Sequence, residues 1–111
     1  MGDGINRVLT IILAMLNARD GILLIDEFEN GLHYSVQQKL WKVIFSLSKS
    51  LNIQVFVTTH SRDAIRAFAA ENKENDGVFI RLERRKDKVI TISYDDKEDL
   101  DLVLEQDIEI R

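Results

Sequence analysis

The chain has no cysteine and no proline in 111 residues. Without cysteine there is neither a disulfide framework nor a thiolate metal site. Without proline, regular elements must be joined and ended by Gly, Asn and Asp. Glycine itself is scarce, and none of the five (2, 4, 21, 31 and 77) is followed by lysine. That excludes a Gly-x-x-x-x-Gly-Lys-[Ser/Thr] loop, with its backbone cradle and phosphate lysine, anywhere in the sequence. Apolar runs are far too short to span a bilayer. Asp3 and Gly4 also stand where a signal peptide would carry basic residues. The expectation is a cytoplasmic protein with no membrane partner. A net charge of −4 gives no overall attraction to nucleic acid, which leaves only a local basic patch to offer one.

What is present is an alternation of strand and helix patterns. Ile22-Leu23-Leu24-Ile25 follows Gly21 and runs straight into Asp26-Glu27. An apolar run of this kind predicts a strand buried on both faces of a parallel sheet. Ionised side chains are costly to bury, so both acids belong where the strand emerges at its C-terminal end. Open α/β sheets hold their ligands there. Because successive strand residues point to opposite sides, the two carboxylates are suited to different tasks.

Around this strand, residues 5–16 carry Ile5, Val8, Leu9, Ile12, Leu13 and Leu16 at helical spacing, with Asp3 as a cap and 17–21 as the stop. Ser35 and Gln38 suggest a capping box for a second helix, whose apolar face is Val36, Leu40, Val43, Ile44 and Leu47. A β-branched-rich strand over 53–59 ends in Thr58-Thr59-His60-Ser61. Ser61 then caps a third helix with Ile65, Phe68 and Ala69 inward, and Ala67, Ala69 and Ala70 imply close helix–sheet contact. Residues 78–83 and 88–94 alternate about a charged 84–87 connection, the pattern of an antiparallel hairpin extending one sheet edge. Asp95 or Asp96 is placed to cap a last short helix through Leu100, Val103 and Leu104. No repeat or linker divides residues 1–111.

Three further segments belong with the acids. Gly2-Asp3-Gly4 opens a helix, where free N–H groups and the helix dipole favour an anion. Glu29-Asn30-Gly31-Leu32-His33 follows the acids directly, and His60 ends the second strand. In this order the chain resembles the second half of an ABC-type ATPase head. More narrowly, it is similar to bacterial and archaeal AAA/ABC-like ATPases related to the structural-maintenance-of-chromosomes and overcoming-lysogenization-defect groups. The resemblance covers residues 1–70 by motif: a Gly-rich signature at Gly2 to Gly4, Walker B at 22–27, a D-loop at 29–33 and a switch histidine at His60.

The resemblance implies a fold, a cofactor pair and a set of roles. The fold is a partial P-loop nucleotide hydrolase: a three-layer α/β sandwich of parallel strands plus an antiparallel C-terminal hairpin. ATP and Mg²⁺ are the implied cofactors. Asp26 would hold Mg²⁺ through water, Glu27 polarise the attacking water, and His60 contact the γ-phosphate. Gly2, Asp3 and Gly4 would approach the γ-phosphate of nucleotide bound on a second protomer, and Asn30 and Gly31 would face that partner. The family's Walker A strand and glutamine loop precede its signature, whereas this chain opens inside the signature. It therefore reads as the C-terminal portion of one ATPase domain, a truncated gene or a split subunit, inactive alone. Its expected partners are the N-terminal ATPase half and a second copy.

Other readings of the same residues stay open. Glu27 with Asp99 and Asp101 could share metals as a Toprim-type nuclease does, but Phe28 stands where that motif carries glycine. A non-enzymatic dimerisation or partner-binding module would also keep this architecture. His33 is the expected cap of the second helix, and Trp41 a packing residue. Arg81, Arg84, Arg85, Lys86 and Lys88 suit a charged hairpin guarded against aggregation; without interleaved aromatics, nucleic-acid contact is the lesser reading there.

Overall fold

A computed structural model describes residues 3–74, 76–85 and 88–94. The elements run α1 (Asp3–Asn17), β1 (Ile22–Ile25), α2 (Tyr34–Ser50), β2 (Gln54–Val57), α3 (Arg62–Glu71), β3 (Phe79–Arg85) and β4 (Lys88–Tyr94). They fall into two compact units, Met1–Glu71 and Asn72–Arg111.

In the first unit β1 and β2 pair in parallel, from Ile22↔Gln54 to Ile25↔Val57. Alternation sends Ile25 into the core, with Leu23, Val55 and Val57 packed against it. Helices α1, α2 and α3 all feed that same core, through Ile11 and Met15, through Leu40, Trp41 and Ile44, and through Ala64 and Ala67. Trp41 stacks on Phe28 at 4.3 Å between ring centroids and meets Phe68 edge-on at 5.2 Å. Its indole N–H donates to the Ala64 carbonyl at 3.0 Å, so the buried polar edge of the ring is satisfied.

The opposite sheet face departs from expectation. Ile22 is 68% exposed, Leu24 65% and Phe56 50%. Among the described residues β1 is thus buried on one face, where its apolar run predicts burial on both. Helix α1 shows the same shift: Ile11 and Met15 are buried, while Ile5, Leu9, Leu13 and Leu16 face outward. Helical period reveals an apolar stripe but not which element covers it, and α1 is apolar on two sides.

Local stops and starts explain the rest. Gly21 closes the turn after α1 by donating to Ala18 O at 2.8 Å, and a Cβ there would sit 3.1 Å from that carbonyl. His33, not Ser35, caps α2, its Nδ1 accepting from Ser35 N at 3.4 Å. The Ser35–Gln38 capping box is therefore absent, and Gln38 instead donates to Glu71 Oε2 at 3.1 Å, tying α2 to α3. Ser61 caps α3 as its sequence implies, Oγ accepting from Ala64 N at 3.3 Å. Ala64, Ala67 and Ala69 are buried but Ala70 is exposed, and α3 lies along α2 rather than on the strands.

In the second unit, Asn72 and Gly77 exchange two hydrogen bonds of 2.9 Å across their loop. Strands β3 and β4 pair antiparallel from Phe79↔Tyr94 to Arg85↔Lys88 and form a sheet of their own. They do not extend the parallel sheet, and β3 continues through Arg84 and Arg85 into the stretch read as a connection. The helix expected after residue 95, with Leu100, Val103 and Leu104, lies outside the described residues. No described helix is long and apolar enough to cross a membrane.

Candidate active site

Because Ile25 pairs with Val57, both strands end level and the residues just beyond them meet. Thr58 N–H donates to Ile25 O at 2.9 Å, one last ladder bond. The Thr58 hydroxyl then does two things. It donates to Asp26 Oδ1, and it accepts the Glu27 N–H at 2.9 Å. One hydroxyl can serve as donor and acceptor together, so Thr58 fixes the carboxylate of one acid and the backbone of the next. Both acids are solvent-exposed at this edge.

Glu27 turns the chain. Its φ of 51° lies in the left-handed region, which costs a side-chain-bearing residue about 1–2 kcal/mol. The turn is held by Phe28 N–H to Thr58 O and Asn30 N–H to Glu27 O, both 3.0 Å. Gly31 follows with φ 76°, a conformation free of cost only for glycine. Arg7, reaching from α1, donates through Nη2 to the carbonyls of Asp26 at 2.8 Å and Glu27 at 2.9 Å.

Glu29 anchors the second strand's end. Its Oε1 accepts from Thr59 Oγ1 and its Oε2 from His60 N at 3.4 Å. Burial pushes the Glu29 pKa up, but the Thr59 hydroxyl, backbone N–H groups and the charge of His60 outweigh it and hold the carboxyl below its ordinary value. A depressed carboxylate stabilises the fold above its ordinary pKa of 4.5, and that contribution is lost as pH falls through the lower, folded value. Glu29→Gln is therefore expected to be less stable than the wild type at pH 7, with the gap closing as both are acidified through the lowered Glu29 pKa. Denaturation midpoints across that range check it; a gap independent of pH would remove the charged anchor.

The predicted residues thus divide. Asp26, Glu27 and the His60 segment come to one rim, joined through Thr58 and Glu29. Asn30 and Gly31 lie exposed beside the start of α1, close enough that a Cβ on Gly4 would stand 3.3 Å from Gly31 O. Asp3 is the first residue of α1. Gly2, and the Asp99 and Asp101 of the nuclease reading, lie outside the described residues. His33 serves α2 as its cap. Sequence reading missed Arg7, Thr58 and the anchoring role of Glu29; only the paired threonines before His60 hinted at side chains facing the acids.

Among the described residues no three His, Asp or Glu side chains converge as a protein-only metal cage. Mg²⁺ accompanying a nucleotide needs less, one or two carboxylates together with phosphate oxygens. The exposed Asp26 carboxylate, steadied by a neighbouring hydroxyl, fits that demand.

Comparison with known proteins bears on this rim. A Helicobacter pylori protein named as an ATP/GTP phosphatase is 37% identical over 78 residues, covering 68% of this chain and 21% of that protein. An uncharacterised protein of Methanocaldococcus jannaschii is 35% identical over 82 residues, 74% of this chain and 71% of its own length. The chain thus spans about a fifth of the bacterial relative's length, while the archaeal relative is itself short. No solved structure matches significantly. The family model described as the AAA ATPase domain matches residues 1–65, a stretch that includes α1, both acids and His60 and runs into α3, and the chain belongs to that family.

Proposed function

We propose that this chain supplies the metal-and-water rim of an ATP-hydrolysing unit whose phosphate-gripping loop lies outside residues 1–111. The observation that carries this reading is the Thr58 hydroxyl, bonded at once to the Asp26 carboxylate and the Glu27 amide. It holds two adjacent acids at a strand end differently, one by its carboxylate and the other by its backbone amide, which supports giving them different tasks. Asp26 would hold hydrated Mg²⁺, which when bound neutralises phosphate charge. Glu27 accepts the proton of a water that attacks the γ-phosphorus; the bond to the β-phosphate oxygen breaks, leaving ADP and phosphate. His60 donates to a γ-phosphate oxygen. Such chemistry rests on positioning and charge neutralisation more than on covalent catalysis. The relative named as an ATP/GTP phosphatase supports the reaction class.

The rest of the reading follows the resemblance. Gly2, Asp3 and Gly4 approach nucleotide held on a second protomer, and Asn30 and Gly31 face that protomer. The C-terminal position within a larger ATPase domain, and kinship with the chromosome-maintenance and lysogenization-defect groups, belong to the same proposal. The bare face of Ile22, Leu24 and Phe56 supports a chain that associates when isolated.

The test joins the chain, by fusion or by mixing, to a P-loop-bearing ATPase segment. Alone it is expected to scatter light as oligomers, to bind exposed-hydrophobe dye and to turn over no ATP. Joined, it gains Mg²⁺-dependent turnover. Turnover by the isolated chain would overturn the split of labour; none in any joined form would overturn the ATPase reading.

A further inference from the structure

We propose that Arg7 is a positioning residue for Glu27, clamping the turn that presents its carboxylate; this rests on the ATPase reading above for its catalytic consequence, though not for its structural one. In an extended strand successive carbonyls point to opposite sides, so one donor nitrogen cannot reach two in a row. Arg7 Nη2 nevertheless lies 2.8 Å from Asp26 O and 2.9 Å from Glu27 O. Both carbonyls converge on it because Glu27 has left the strand for φ 51°. Each hydrogen of that nitrogen has one acceptor, and both bonds are strengthened by the guanidinium charge. The pair can form only in the turned conformation, so Arg7 favours that conformation over the extended one.

The cost of the arrangement argues that the contact is not incidental. Arg7 Nε is buried and has no hydrogen-bond partner among the described residues. A guanidinium with a desolvated, unsatisfied N–H is held by something else, and the two bonds from its Nη2 both go to this turn. The clamp also spans elements: Arg7 sits one turn along α1 from Gly4, which itself lies against Gly31 at the far side of the same loop. The start of α1 therefore bonds to one end of the segment from Asp26 to Gly31 and lies close against the other. A shift of α1 along its axis would move Glu27 with it.

Arg7→Ala and Arg7→Lys test this, the second keeping charge but losing the planar fork. Native-state amide exchange on the chain is the first readout. Arg7→Ala is expected to speed exchange at Phe28 and Asn30 about tenfold or more while core amides of α2 stay within about twofold, a local opening rather than global unfolding. Arg7→Lys should restore part of that protection. In the P-loop-joined enzyme, Arg7→Ala lowers kcat about tenfold with KM for ATP within about twofold, the signature of a lost transition-state contribution. Unchanged turn protection, equal acceleration throughout the core, or a wild-type kcat would each overturn the clamp. If the joined wild type has no turnover, the ATPase reading fails, and the exchange pattern alone decides whether Arg7 holds the turn.

Discussion

Glu27→Gln in the P-loop-joined enzyme is expected to leave ATP binding within about twofold of wild type and to slow hydrolysis about 10²–10³-fold, the usual size for a lost general base. The folded state has little to lose. The side chain is exposed, and the contacts that shape the site use its backbone: N–H to Thr58 Oγ1, carbonyl to Arg7 and to the Asn30 N–H. Exposed substitutions of this kind usually stay within about 0.5 kcal/mol. Glutamine keeps the shape and can still orient a water by hydrogen bonding, but it cannot take the proton. At about 1.4 kcal/mol per tenfold, the loss corresponds to roughly 3–4 kcal/mol of barrier. Single-turnover hydrolysis beside nucleotide-binding titration separates the two steps. A variant that binds and hydrolyses like the wild type would take the base role away from Glu27, and one that no longer binds would make it a binding residue.

The legibility of this rim had a physical limit. An apolar run ending in two acids announces both its strand and the end where they emerge, because burial and charge conflict within six residues. The second strand was legible through the β-branched residues of 53–59, although the strand itself is the shorter Gln54–Val57. Failure came where backbone atoms do the bonding. Arg7 recognises two carbonyls and Thr58 an amide, and carbonyls and amides have no sequence signature. His33 was readable as a cap, yet Ser35 and Gln38 formed an equally good pattern close behind it. In the structure His33 is the cap, and Gln38 is bonded to Glu71 instead. The outward stripe of α1 and the bare strand face of Ile22 and Leu24 were misread because a periodic stripe specifies a buried surface without specifying its partner.

Phe28→Ala should be the most damaging single change in the first unit. Phe28 follows Glu27 directly, is 0% exposed and stacks on Trp41 with its ring planes 22° apart. Removing such a ring costs about 3–5 kcal/mol through lost transfer energy and the cavity left behind. Small domains have only about 5–15 kcal/mol in total, so most of the margin goes. Collapse cannot easily refill the space, because Trp41 is held by its bond to Ala64 O and by Phe68 on another side. Trp41 is the single tryptophan of the chain, so its emission reports on this contact without labelling. Denaturant titration followed by that emission should show the midpoint collapse, with a red-shifted native baseline where any folded protein remains. Phe28→Leu, which refills much of the volume, should recover part of the loss. The contrast with Glu27→Gln is the informative part. One residue apart, the first change should remove the fold together with nucleotide binding, and the second only the chemistry. A Phe28→Ala protein that unfolds at the wild-type midpoint would mean that the acid rim does not depend on the aromatic cluster beneath it.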